Sequence, residues 1–205
     1  MPKNNRKFYK RLFILAIPIV LQNLITSSLN MLDTMMIGSL GEVQLAAVGV
    51  ANQFYFLYSL LVMGIGAGCS ILIAQLWGKE DTENVKKVLQ LGLAAGIVFA
   101  AIFTVIGFFG SESIIKIFNP DPDVIRFGSE YLRVSIFSYL ATAISFVFAG
   151  ALRSIGNTAL PMWGSLIGLI INGVFNAILI FGLLGFPALG VVGAAIATLM
   201  ARLVE

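Results

Sequence analysis

Histidine is absent from this 205-residue chain, and its one cysteine, Cys69, has no second thiol to pair with. Without histidine there are no histidine-based zinc sites and no serine–histidine or cysteine–histidine nucleophile pairs. With a lone cysteine there is no disulfide framework, and within "GIGAGCSILIA" Cys69 reads as a small packing residue of a helix. Charge is also scarce. Only 11% of residues are charged and 59% are hydrophobic, whereas a soluble domain carries about a quarter charged residues. Polar groups are too few to cover a water-soluble surface, so lipid must be the solvent. No nucleophile–base pair remains to point to an enzyme.

The sequence pI is about 9.1 and the mean hydropathy +0.96. The basic residues gather at the ends of apolar runs and form no patch for phosphates. This excludes nucleic acid as a partner and points to a lipid bilayer. The start, "MPKNNRKFYKRLFILAIPIVLQ", imitates a secretory signal. Its apolar run continues to Leu32 with no A-x-A site after it, so it reads as a retained first transmembrane helix.

Crossing a hydrocarbon core of roughly 30 Å takes about 20 apolar residues. By that measure the chain is an all-α membrane protein with six spans, at 12–37, 45–77, 88–110, 124–153, 159–184 and 190–204. Residues 1–11 form a cytoplasmic N-terminal segment. "GKEDTENVKK" reads as a charged loop, "NPDPDV" as a turn, and "GLLGFPALG" divides an uncharged stretch too long for one helix. Pro161 falls in the first turn of the fifth helix, where its missing N–H costs little. With the N-terminus inside, the cytoplasmic side holds Lys3, Arg6, Lys7, Lys10, Arg11, Lys79, Lys86, Lys87, Arg153 and Arg202, against Lys116, Arg126 and Arg133 outside. That asymmetry predicts a multi-pass protein of the cell membrane with both termini cytoplasmic. Gly64 and Gly68, Gly92 and Gly96, and Gly164 and Gly168 are spaced for close helix approach.

Asp33 is the only charge between Leu12 and Leu40. Near the bilayer centre an aspartate costs about 2.5–3.5 kcal/mol on insertion scales. It ends a polar stripe: Gln22, Thr26, Asn30 and Asp33 fall within about 80° of one another on a helix. Such a stripe lines a protein interior or a water-filled cavity; interhelical hydrogen bonding for stability alone is the alternative. On a straight helix Asp33 would lie roughly 33 Å beyond Arg11, near the outer edge. Pro18 bends the helix and tilt shortens its reach, which places the cavity in the outer half of the bundle. The fifth helix adds Asn172 and Asn176, one turn apart. The sixth adds Thr198, one turn after Ala194. Carboxylate, carboxamide and hydroxyl are hard oxygen ligands that suit a proton or a small cation such as sodium. A Na⁺ site would draw on Asp33, Asn172, Asn176 and Thr198.

"LAIPIVLQNLITSSLNMLDTMMIGSLG", "ILIAQLWGKED", "GALRSIGNTALPM" and "NGVFNAILIFGLLGFPALGVVGAAIATLMARL" together resemble the amino-terminal half of multidrug and toxic compound extrusion (MATE) transporters. The resemblance implies one six-helix lobe of a two-lobe antiporter that exports organic, often cationic, compounds against proton or sodium entry. It requires no further cofactor. It implies Pro18 as the bending proline, Asp33 as the essential carboxylate, and Asn172, Asn176, Ala194 and Thr198 around a cation site. Some members carry a second aspartate where this chain has Asn176. The resemblance stops at "ARLVE", where the first lobe ends, so the partner would be a second lobe or a second copy of the chain. The alternatives are a split lobe without activity of its own and a lipid-linked sugar flippase. The flippase needs a strongly basic cavity, and with Arg202 at the cytoplasmic side no Arg or Lys is expected inside the membrane.

Overall fold

Seven α-helices carry the chain in this computed structural model, which describes residues 2–205 and the side chains of residues 8–10 and 12–205. They are α1 (Pro2–Gly38), α2 (Glu42–Gly78), α3 (Thr82–Phe118), α4 (Pro122–Ser135), α5 (Ser138–Ser154), α6 (Ala159–Phe181) and α7 (Gly190–Val204). No strand occurs among the described residues. The helices α1, α2, α3 and α6 are each long and apolar enough to span a bilayer. The pair α4 and α5 makes one further span, bent by 53°. The last, α7, has 15 residues, about 22 Å at 1.5 Å per residue. The fold is therefore an all-α six-helix lobe with its fourth member broken.

Several boundaries depart from expectation: α1 is already helical from Pro2 through the expected N-terminal segment, α3 runs on to Phe118, and two further departures have visible physical reasons. The third helix starts at Thr82, so most of the expected charged loop is helical. The Asp81 carboxylate accepts from the Asn84 backbone N–H at 3.2 Å, and Glu83 pairs with Lys87 at 2.7 Å. Apolar content marks the width of the oil, whereas capping and i,i+4 pairs set where a helix begins. The second departure is the break between Ser135 and Ser138. Hydroxyls satisfy its backbone: Ser138 donates to the Ser135 carbonyl at 2.6 Å, Thr104 of α3 to Ile136 at 3.3 Å, and Tyr58 of α2 to Tyr139. A bend at membrane depth needs such internal donors because lipid offers none.

Around this break lies the core. Tyr58 and Tyr139 stack at 4.5 Å between ring centroids, with Phe54, Phe103 and Leu132 about them. α2 packs on α3, α4 and α5, α6 packs on α7, and α1 lies mainly along α6. Pro18 sits inside α1, which runs unbroken through it.

Glycine close approach holds for two of the three expected pairs. A Cβ on Gly92 would meet Cys69 Sγ at 2.6 Å, and one on Gly164 would meet the Glu205 carbonyl at 3.2 Å. Gly64 and Gly68 face open space; the contact on α2 runs instead through Gly66, whose carbonyl lies 3.4 Å from a Cβ on Gly150. The tightest crossing is α6–α7, where a Cβ on Gly193 would meet the Leu179 carbonyl oxygen at 2.6 Å and its carbon at 2.7 Å. Backbone cannot swing aside as a side chain does. Gly193→Ala should therefore cost about 1–3 kcal/mol and lower the thermal unfolding midpoint in detergent, while Gly64→Ala leaves it unchanged. Equal midpoints would refute the tight crossing.

A candidate cation site between the first and sixth helices

α6 packs against both α1 and α7, so the inward faces of all three meet. There the fully buried Asn176 donates through Nδ2 to Asp33 Oδ1. The same Nδ2 donates to Asn172 Oδ1 at 2.9 Å. Asn172, also fully buried, donates to Thr198 Oγ1 at 3.5 Å. The i,i+4 spacing of the two asparagines puts them one above the other on α6. Asp33, Asn172, Asn176 and Thr198, drawn from three helices, thus form one connected chain.

Asp33 and Thr198 open onto a cavity of about 530 Å³, with Asn30, Asn52, Tyr55, Tyr131, Tyr139 and Arg202 also on its wall. Asn176 Oδ1 is buried without a hydrogen-bond partner. An orphaned carbonyl oxygen beside a carboxylate suits a hard cation or a proton shared between oxygens. No cluster of three or more His, Cys, Asp or Glu residues that could hold a soft or multivalent metal occurs among the described residues.

The rest of the expected stripe divides. Gln22 lines a second cavity, of about 550 Å³, together with Pro161, Gly164, Arg202 and Glu205. Thr26 lines neither of these cavities, and its hydroxyl donates to the Gln22 carbonyl at 3.0 Å. Ala194 is buried in the core, one turn before Thr198.

Arg202 corrects the sequence reading, which puts it at the cytoplasmic edge and leaves no basic side chain inside the membrane. On α7 it lies between Thr198, which meets Asn172, and Glu205, which meets Ser165. That places it inside the bundle, on the walls of both cavities. A positive-inside count treats every arginine as an edge residue, and only the packing of a short α7 against the middle of α6 shows otherwise. Tyr55, Tyr131 and Tyr139 are also absent from the sequence reading. They sit among apolar neighbours, and nothing in the sequence separates a cavity tyrosine from a core one.

A family model described as MatE matches residues 18–178. The chain is similar to a probable multidrug resistance protein NorM of Agrobacterium fabrum, 28% identical over 188 residues, covering 92% of this chain and 40% of that protein. The lobe also superposes on crystal structures of MATE in two conformations, each 28% identical. The match to the bent conformation has a TM-score of 0.85 and covers 96% of this chain and 43% of that one. The match to the straight conformation has a TM-score of 0.86 and covers 95% and 42%. The chain spans about two fifths of the length of the curated relatives it matches. It belongs to the MATE family.

Proposed function

We propose that the chain is one lobe of a cation-coupled antiporter that exports organic, often cationic, drugs and toxic compounds, with a proton or Na⁺ entering in exchange. The observation that carries this reading is the Asp33–Asn176–Asn172–Thr198 chain opening on a drug-sized cavity. A single carboxylate that alternately binds and releases a cation changes charge at the junction of three helices. Ion binding then biases whichever packing it prefers. Relatives solved in a bent and a straight conformation support a two-state element, and Pro18 inside α1 is its proposed bend. A lipid-linked sugar flippase fits less well, because the one basic side chain on either cavity among the described residues, Arg202, is paired with Glu205.

The full chain reconstituted in proteoliposomes should export a cationic dye when a proton or sodium gradient is imposed, and should not do so without one. Export independent of any gradient would overturn cation coupling. Activity is proposed to need a second lobe, supplied as a partner or as a second copy of the chain. Six spans return the chain to its starting side, so two copies can face each other about an axis along the membrane normal.

The proposed orientation, in the cell membrane with both ends cytoplasmic, makes a separate prediction. Glu80 and Asp121 are both exposed in turns, at opposite ends of α3. In a Cys69→Ser background, Asp121→Cys should react with an impermeant thiol reagent on intact cells and Glu80→Cys should not. The reverse pattern would invert the topology.

A further inference from the structure

Arg202 contacts one carboxylate, Glu205, and shares a cavity wall with another, Asp33. Its Nη1 donates to Glu205 Oε2 at 2.6 Å, and the two side chains are only 18% and 16% exposed. Ser165 of α6 donates to the other oxygen, Glu205 Oε1, at 2.8 Å. Gln22 of α1 donates to the Ser165 hydroxyl at 3.1 Å, and its own Oε1 is buried without a partner. A hydrogen-bonded path therefore joins α1, α6 and α7 at the level of Gln22. The same arginine also reaches the wall of the Asp33 cavity, where it and Asp33 are the only charged side chains among the described residues. The titratable groups around Asp33 there are Tyr55 on α2, Tyr131 on α4, Tyr139 on α5 and Arg202 on α7; α6 presents Asn172 and Asn176.

A guanidinium within a low-dielectric bundle is held by whichever carboxylate is ionised and free. We propose that Arg202 is an exchange counter-ion, resting on Glu205 while Asp33 holds the coupling cation and moving onto Asp33 when that cation leaves. This rests on the reading of Asp33 as the coupling group. Arg202 is a positioning residue in this scheme, since it acts through the two carboxylates. Its departure releases Glu205 from its strongest partner and loosens the Ser165–Gln22 link. The ion state at Asp33 is thereby felt 11 residues earlier on α1, at Gln22.

The test is ion binding by the purified full chain in lipid nanodiscs, read as sodium-22 binding and as proton uptake across pH. Glu205→Gln keeps the acceptor for Ser165 but leaves Arg202 only Asp33 to pair with. It should weaken whichever ion the parent binds by at least about tenfold, the scale of one added unit charge at close range. Adding Arg202→Gln to Glu205→Gln removes the competing cation and leaves no buried charge stranded. It should restore affinity to within about threefold of the parent, a coupling that a double-mutant cycle isolates. A packing role for Glu205 gives no such rescue. Parental affinity in the single variant, or a double variant as weak as the single one, overturns the exchange while leaving Asp33 in place. Should Glu205→Gln misfold, a tenfold loss in the double variant overturns the proposal and parental affinity upholds it. Ion binding that survives Asp33→Asn, or is missing from the parent, overturns the reading of the site and this inference with it.

Discussion

Asp33→Asn should insert and fold like the parent, yet its export should fall to background under every imposed proton or sodium gradient. The substitution keeps size and shape, and an amide oxygen still accepts from Asn176 Nδ2. What disappears is the exchange of charge. A neutral amide neither takes up and releases a proton in the physiological range nor offers a full negative charge to sodium. A ligand shifts a conformational equilibrium only by the difference in its affinity for the two states, and with no ion bound at this position that difference vanishes. Expression level, melting temperature and dye export are measured side by side. Parental export by the Asp33→Asn variant would reduce Asp33 to a packing residue and leave this cavity without a coupling role.

Asn176→Asp should move the pH profile of export toward higher pH by about a unit or more. It places a second carboxylate within hydrogen-bond reach of the first. Two such groups cannot both ionise cheaply, so the pair retains one shared proton to higher pH than a lone carboxylate does. The sign follows directly: proton release becomes harder, and the alkaline limb of export moves upward. The protonated acid donates where Asn176 Nδ2 donated, toward Asp33 or Asn172, so the three-helix junction survives. An unchanged profile, with export intact, would show that Asp33 and residue 176 titrate independently and that their contact carries no weight in coupling.

Much of this architecture was legible because the bilayer imposes a simple rule. Charges fall at the edges of spans, and between Glu42 and Lys79 their absence alone outlined α2. The polar side chains of α1, α6 and α7 were likewise visible as intrusions in oil, and Asp33, Asn172, Asn176 and Thr198 do meet. What the sequence concealed was backbone detail and depth. Ser135 and Ser138 look like ordinary small polar residues of a span, although they flank a 53° bend. Arg202 looks like an edge anchor because α7 is short and the α1 and α6 groups that enclose it are distant in sequence. Thr26 fits the helical stripe by angle, yet it lies on the wall of neither cavity.

The broken fourth span also bears on how the chain enters the membrane during synthesis. The α4 segment carries Asp123, Arg126, Glu130 and Arg133 within fourteen residues, and each such charge opposes partition from the translocon into lipid. α5, with seventeen residues and only Arg153 charged, at its end, is the half able to partition by itself. In the folded lobe both halves of this span meet groups on earlier helices. Arg133 donates to the Ser111 hydroxyl at 2.9 Å and to Glu112 at 2.8 Å, both supplied by α3, and Tyr139 stacks on Tyr58 of α2. Translation, amino end first, therefore makes α2 and α3, which carry these partners, before the span that meets them.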